Sequence, residues 1–235
     1  MKNKLDILIP IYNEDDVVLT TIEKILNISN FNYEICICYD YDEDPSLALI
    51  KEKFKEEEKL KFVKNKSKGF NNALISGIEN TDGEAVMIFM ADDHENQNII
   101  YNCYKKFKEG FDIVCPSRYV DGGTIVGNPP IKQFLTTCNS IFLNKFLNFP
   151  IKDPTNSFRL FSRNFLNQIN FESKKGFTLS FEITAKAHRK KLKMIEIPST
   201  WIEREDRKSK FKIFSFIVPY LKWLIFIIIT SLLKR

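Results

Sequence analysis

Three carboxylates crowd one turn at the end of the stretch EAVMIFMADDHE, residues 84–95: Asp92, Asp93 and Glu95, with His94 between the last two. Acids packed this closely raise each other's pKa unless a cation lies among them. Oxygen ligands on a strand-end turn suit a hard divalent cation, Mg2+ or Mn2+, and leave coordination positions open for substrate phosphates. The same turn also reads as a solvated acidic loop opening a helix, its acids favoured by the helix dipole. His94 divides in the same way, between metal ligand and solvent-facing turn residue. Ahead of the turn runs VMIFM, residues 86–90, an unbroken apolar run of the kind that forms a strand buried on both faces. A second acidic turn, Asp40-Tyr41-Asp42-Glu43-Asp44-Pro45, follows a similar run, YEICICY, residues 33–39.

The elements that must position these acids alternate. Leu5 to Ile11 reads as a first strand and Tyr12-Asn13-Glu14 as its exit. Asn13 is the expected N-cap of the next helix, with Glu14, Asp15 and Asp16 in its first turn and Val17, Val18, Thr21, Ile22, Ile25 and Leu26 inward. Helices are expected near 46–58, 70–80 and 96–109, and strands near 60–63 and 112–116. Strands and helices at this spacing predict an α/β fold with a doubly wound, mostly parallel sheet. Ligands of such sheets bind beyond the carboxyl ends of the strands, at the switch point. Asp40, Asp44, Asp92, Asp93 and Glu95 all follow strand ends, so one crevice would collect them. Past Ser117-Arg118-Tyr119 come a Gly- and Pro-containing segment, a helix near 131–147, and a turn with a short strand over 153–161. A helix near 177–191 carrying Glu182, a strand over 194–198 and a charged loop over 201–210 complete the pattern.

Composition narrows the class. The chain has 235 residues, 44% of them hydrophobic and 28% charged, enough to bury one large core. Its five cysteines, Cys36, Cys38, Cys103, Cys115 and Cys138, form no CxxC pair, and buried free thiols are expected rather than disulfides or a zinc site. Met1 to Lys4 leads directly into a strand pattern, which predicts no secretory signal. The net charge of +5 is uneven: residues 186–235 hold thirteen Lys or Arg against four acids, a net +9, leaving −4 on the rest. The basic end is also the apolar end, which points to an anionic membrane surface and not to nucleic acid. WLIFIIITSLL, residues 223–233, carries no charge, yet as a helix it spans only about 16 Å, half a bilayer core. Extending it back to Ile213 places Pro219 and Lys222 inside. An interfacial amphipathic helix is therefore expected, on the cytoplasmic face of the cell membrane. The other reading docks it on the domain or in a dimer interface, which would make the protein a homo-oligomer. The expected division is one large domain over 1–210 and a membrane-associated segment over 211–235.

Six stretches in order carry a resemblance: Ile9-Pro10-Ile11-Tyr12-Asn13-Glu14, the acidic turn at Asp40, Ala91-Asp92-Asp93, Ser117-Arg118-Tyr119, Thr155-Asn156-Ser157-Phe158-Arg159-Leu160, and Ser209-Lys210-Phe211. Together they resemble the family 2 glycosyltransferases of GT-A fold, most closely the dolichol-phosphate mannosyltransferase-like branch, from Leu5 to about Trp223. The resemblance implies that Pro10, Tyr12 and Glu14 line the nucleotide pocket and that Asp40 contacts the base. It implies a metal on the turn of Asp92, Asp93 and Glu95. The familiar pattern there is Asp-x-Asp, and an ungapped match puts Ala91 at the first Asp. Either Asp93 and Glu95 keep the later positions, or the turn has shifted and Asp92 leads. Arg118, Arg159, Arg204, Ser209 and Lys210 match positions near the phosphates or a lipid-phosphate acceptor.

The implied reaction is transfer of a sugar, with inversion, from a nucleotide-diphosphate sugar to a polyprenyl phosphate, or alternatively to a hydroxyl of a surface glycan or lipid-linked oligosaccharide. Charge develops on the departing diphosphate, where a metal and cationic side chains such as Arg118 stabilise it. A lipid phosphate is already an anionic nucleophile, whereas a hydroxyl requires a base, for which Glu182 is the candidate. Asp93, Arg118 and Glu182 are thus the catalytic candidates. A nucleotidyltransferase would show a Gly-rich basic loop after the first strand, and Pro10 to Glu14 is neither. A non-catalytic nucleotide-sugar binding membrane protein is the remaining alternative, kept open by Ala91.

Overall fold

The computed structural model describes residues 1–93, 95–127, 142–147, 149–174, 176–202 and 213–233. Each apolar run becomes a strand: β1 (Lys2–Ile11), β2 (Tyr33–Tyr39), β3 (Leu60–Lys64), β4 (Gly83–Ile88), β5 (Ile113–Ser117), β6 (Thr124–Val126), β7 (Arg159–Ser162), β8 (Met194–Pro198) and β9 (Thr200–Ile202). Seven form one sheet in the order β3-β2-β1-β4-β7-β5-β8, and β6 pairs with β9 separately. The expected mostly parallel sheet is present, with β7 antiparallel to both its neighbours.

Side chains alternate across the central strands, so each face builds its own core. Ile7, Ile9, Ile37 and Met87 pack with Val18 and Ile22 of α1 (Val17–Leu26), Leu47 and Ile50 of α2 (Pro45–Lys53), and Ile100 and Cys103 of α4 (Ile100–Lys108). On the other face Leu8, Cys36, Val86 and Ile88 meet Leu74 and Ile78 of α3 (Phe70–Glu79). Phe165 of α5 (Arg163–Leu166), Phe181 and Ile183 of α6 (Leu179–Arg189), and Trp223 and Ile227 of α7 (Ile213–Leu233) complete that layer. Cys36, Cys38, Cys103 and Cys115 are buried free thiols, as expected; Cys138 lies outside the described residues.

Three helix starts differ from the sequence reading. α1 begins at Val17 with Asp16 as its cap residue and no acid in its first turn. Asn13 is not an N-cap: its φ of 51° is left-handed. α2 starts at Pro45 behind a true cap, Asp44, whose Oδ1 accepts from Ser46 N at 2.9 Å. Ahead of α4, a 3-10 turn at Gln97–Ile99 delays the helix expected from 96. The expected helix over 131–147 lies outside the described residues except for a π turn, Phe142–Phe146. The first residues of the expected charged loop over 201–210 are strand β9, and 203–210 lie outside the described residues.

α7 docks against α6 through one face. Trp223 is buried and its Nε1 donates to Ser173 Oγ at 2.8 Å, while Tyr220 OH donates to the carbonyl of Phe177 at 3.2 Å. Lys222 pairs with Glu172 at 2.7 Å. Val218, Leu221, Ile225, Ile229 and Leu232 recur at helical spacing on the opposite face and are exposed. Among the described residues no helix is long and apolar enough to cross a membrane.

Glu172 anchors this docking and makes it sensitive to acid. Lys186 and then Lys222 hold its carboxyl down to about 2, against an ordinary 4.5. Because the folded-state value is depressed, the stabilisation is fully present above about 4.5 and is lost as pH falls toward 2. Glu172→Gln is therefore expected to lower the melting temperature at neutral pH, with the gap to wild type closing between those two values. Melting curves followed by circular dichroism across that range check it; a gap independent of pH would count against the ion pair.

Candidate active site

The sheet splits where the carboxyl ends of β1 and β4 part. Leu8 and Pro10 turn their backbone polar groups toward β4, but that ladder ends with Leu8 opposite Ile88 and a bond from Phe89 N to Leu8 O at 2.9 Å. β1 and β2 stay paired to Ile11 and Tyr39. Pro10, which has no N–H to give, occupies the first position where β4 no longer asks for one. In the strand order this parting of β1 and β4 is the place where a sheet of this kind forms its crevice, with Tyr12 and Glu14 following β1 and the acidic turn following β4.

Beyond β1 the loop is left-handed at Asn13 and Asp15, with φ of 51° and 55°, a conformation that these two residue types adopt more readily than other non-glycine residues. The β2–α2 connection fixes the first part of it. Asp44 Oδ2 accepts from Asn13 N at 3.0 Å, Ser46 Oγ from Glu14 N at 2.7 Å, and Tyr41 OH donates to Asn13 Oδ1 at 2.6 Å. Tyr12, half exposed, meets Tyr41 edge-on with ring centroids 5.9 Å apart. Asp44 and Ser46 thus shape the crevice without entering it. Asp40 accepts from Asn65 Nδ2 at 2.7 Å and from Gly69 N at 2.9 Å, which ties the basic β3–α3 loop to the strand end.

At the end of β4, Ala91 is buried in the core, and its carbonyl accepts from Thr21 Oγ1 of α1 at 2.7 Å. Asp92 is half-buried and Asp93 buried. Burial and the neighbouring Asp92 charge push Asp93 up to about 6, against the pull of hydrogen bonds from Asn96 and from the backbone of Glu95 and Asn96. Glu95 faces outward, its carboxylate 3.9 Å from Lys24 Nζ. The three-carboxylate ligand set expected from the sequence is not assembled: among the described residues no three His, Cys, Asp or Glu side chains converge. His94 lies outside the described residues. What remains is a pair of adjacent carboxylates, and that donor set fits Mg2+ or Mn2+, whose other positions go to water and substrate phosphate.

Across the crevice, Arg118 follows β5. Its Nε and Nη2 fork onto Asp153, both at 2.7 Å, and its guanidinium stands 5.6 Å from the Tyr119 ring and 6.0 Å from the Trp201 ring. Two expected site residues are engaged elsewhere. Arg159 is fully buried in β7 and bonds to Thr184 Oγ1 and the carbonyl of Asp153, so it supports the residue that holds Arg118 and does not reach a phosphate. Glu182 is fully buried too; it accepts from the backbone N of Glu172 at 2.8 Å and of Ser173 at 2.7 Å, and pairs with Lys186 at 2.7 Å. With both oxygens committed it is a brace for α6 and not an available base. Arg204, Ser209 and Lys210 lie outside the described residues. Nothing in the sequence marks Asp153 or Asn96: one reads as turn punctuation and the other as the start of a helix.

Comparison with known proteins fits this geometry. Residues 6–169 match the model of the family described as "Glycosyl transferase family 2". A dolichol-phosphate mannosyltransferase of Pyrococcus furiosus is 28% identical over 214 residues, 89% of this chain and 59% of that protein. The putative glycosyltransferase CsbB of Bacillus subtilis is 27% identical over 169 residues, 70% of this chain and 50% of that protein. The chain therefore spans only half to three-fifths of the length of these relatives. Among solved structures, glucosyl-3-phosphoglycerate synthase of Mycobacterium tuberculosis in complex with Mn2+, UDP-glucose and phosphoglyceric acid superposes with a TM-score of 0.72 at 11% identity, over 97% of this chain and 80% of that one. TarS of S. aureus in complex with UDP-GlcNAc gives 0.64 at 15% identity, over 87% and 60%. The two structural likenesses speak for the fold alone, but the family model covers well over half of the sequence, crevice included, and the chain belongs to glycosyl transferase family 2.

Proposed function

We propose that this family 2 glycosyltransferase moves a sugar, with inversion, from a nucleoside-diphosphate sugar to a polyprenyl phosphate at the cytoplasmic face of a membrane. The observation that carries the reading is the pair Asp92 and Asp93 at the end of β4, where the sheet opens beside β1. Asp92 and Asp93 would hold Mg2+ or Mn2+, which when bound neutralises charge on the leaving diphosphate. Structural neighbours crystallised with Mn2+ and UDP-glucose, or with UDP-GlcNAc, support the same donor class.

Each residue of the crevice then has a task. Pro10 keeps β1 and β4 apart at the point where the nucleotide enters, and Tyr12 and Glu14 line that opening. Asp40, by bracing the loop over 65–69, sets the wall on the side of the base. Arg118, locked by Asp153 and flanked by Tyr119 and Trp201, brings fixed positive charge toward the diphosphate without reorganising during reaction. An acceptor phosphate oxygen forms its bond to the anomeric carbon as the carbon–oxygen bond to the diphosphate breaks. The nucleoside diphosphate leaves with the electron pair, and no proton need move. That agrees with a Glu182 wholly occupied by hydrogen bonds.

The membrane assignment rests on α7. Its exposed stripe of Val218, Leu221, Ile225, Ile229 and Leu232 lies in the region of the chain carrying a net +9. An apolar face flanked by cations is the pattern of a helix seated in an anionic interface. The segment over 211–235 would thereby bring the crevice to a lipid acceptor.

The deciding experiment incubates the protein with radiolabelled UDP- and GDP-sugars, Mn2+, and vesicles containing polyprenyl phosphate. Metal-dependent label in the lipid phase is expected. Label passing only to water or to a glycan hydroxyl would overturn the lipid-phosphate acceptor, and no donor consumption at all would overturn the transferase reading.

A further inference from the structure

Asn96 is almost fully buried beside the acidic turn, and its side chain bridges two parts of the molecule far apart in sequence. Its Nδ2 donates to Asp93 Oδ1 and to the carbonyl of Thr200, both at 2.6 Å, and its Oδ1 accepts from Thr200 N at 3.0 Å. Toward Thr200 the amide behaves as a piece of neighbouring strand, matching one N–H and one C=O. The other N–H goes to Asp93, so both its donors are spent.

One end of this bridge is in the acidic turn and the other is on the strand beside Arg118. Asp93 is one of the two carboxylates of the donor set. Thr200 opens β9, which pairs with β6 and carries Trp201 against Arg118. A buried amide that merely filled space would not need three directed bonds to two elements, one of them a carboxylate.

We propose that Asn96 is a positioning residue: it fixes the orientation of the Asp93 carboxylate for the metal and holds β9 in register with the acidic turn. The proposal rests on the metal reading of Asp92 and Asp93. Partners of ligating carboxylates govern affinity through orientation, and their loss typically costs about 10–100-fold in metal affinity or activity. Through Thr200 the same amide ties the acidic turn to the strand that carries Trp201, next to Arg118, so Trp201 is the reporter placed nearest to this bridge.

The test titrates UDP and GDP, each with and without Mn2+, into the full chain by calorimetry, and follows tryptophan emission, using Trp201→Phe to identify that residue's signal. In Asn96→Ala the gain in nucleotide affinity conferred by Mn2+ is expected to shrink about 10–100-fold and the Mn2+-induced change in Trp201 emission to vanish. The exposed neighbour Asn98, changed to Ala, should leave both readouts at wild-type values. Should the alanine variant fail to melt cooperatively, Asn96→Ser, which keeps one hydroxyl donor, carries the test with a smaller loss. An Asn96→Ala protein that melts lower but keeps its Mn2+ gain within twofold and its Trp201 response would reduce Asn96 to a structural tie and overturn the proposal. Wild type that gains nothing from Mn2+ would overturn the metal reading, and this proposal with it.

Discussion

Asp93→Asn is expected to lower kcat/KM about a thousandfold while making the metal-free protein no less stable. The first effect follows from the task proposed for the acidic turn. A bound divalent cation contributes several kcal/mol of charge stabilisation at the leaving diphosphate, and about 4 kcal/mol corresponds to a factor near 10^3. An amide cannot supply the anionic oxygen that the cation needs. The second effect follows from burial. Asp93 is pushed up to about 6 by desolvation first and by Asp92 next, so in the metal-free protein its charge opposes folding at neutral pH. A neutral isostere removes that penalty, and the amide can still meet Asn96. Falling activity with a steady or rising melting temperature marks a residue kept for function at the expense of stability. Kinetics and calorimetric melting of one preparation check it. Activity within tenfold of wild type would place the metal elsewhere, and a fall in both activity and stability would make Asp93 a structural residue. Asp92→Asn should share the kinetic loss if the two carboxylates bind as a pair.

Much of the fold was legible because burial on both faces leaves a strand no choice but an unbroken apolar run. YEICICY is β2 from end to end, whereas VMIFM supplies only the last half of β4, which starts at Gly83 and stops at Ile88, so Phe89 and Met90 already belong to the exit that leads to the acidic turn. β7 is legible as a strand but not as a reversed one, because nothing in Arg159–Ser162 encodes direction; its pairing with β4 and β5 does.

The misplaced residues share one cause. Asn13 looked like an N-cap because its type and its position before a helix are right, yet its left-handed backbone is imposed by Asp44, Ser46 and Tyr41, about thirty residues on. Arg159 and Glu182 sit in stretches that point to function, and a charged residue looks the same in sequence whether it meets substrate or a neighbouring backbone. Only the partners distinguish them, and those partners, Thr184, Asp153, Glu172 and Ser173, are scattered. Arg118 stands in a short recognisable stretch, whereas the Asp153 that locks it reads only as part of a turn. Side chains that touch substrate tend to leave short local patterns; side chains that aim them do not.

Arg163→Met is expected to lower stability by about 3–5 kcal/mol without changing the chemistry of the folded protein. Arg163 is 4% exposed, at the opposite end of the sheet from the crevice. Its Nη2 donates to Asp6 Oδ2 at 2.8 Å and to Thr81 Oγ1 at 2.7 Å, its Nε donates to the carbonyl of Gly83 at 3.1 Å, and its Nη1 bonds to the carbonyl of Ile78. Asp6 is fully buried and also accepts from Gly83 N at 2.7 Å. The site has no slack, for a Cβ on Gly83 would lie 2.6 Å from the carbonyl of Lys4. Methionine fills the volume but leaves the Asp6 carboxylate in the core with only Lys4, 3.4 Å away, as a counterion. The cost therefore comes mostly from the stranded charge, and this gives the prediction a second edge. Asp6→Asn combined with Arg163→Met should recover much of the loss, because the pair is removed together. Urea denaturation of wild type, both single variants and the double variant measures the coupling, with a lower midpoint and an unchanged slope expected for Arg163→Met. A single variant that loses less than about 1 kcal/mol, or a double variant no better than the single, would show that the pair does not hold the ends of β1 and β4 together. The contrast with Asp93 is physical: Asp6 is a buried charge paired with Arg163 inside the fold, whereas Asp93 is a buried carboxylate pushed up by its burial and by Asp92, for which the proposed partner is a cation.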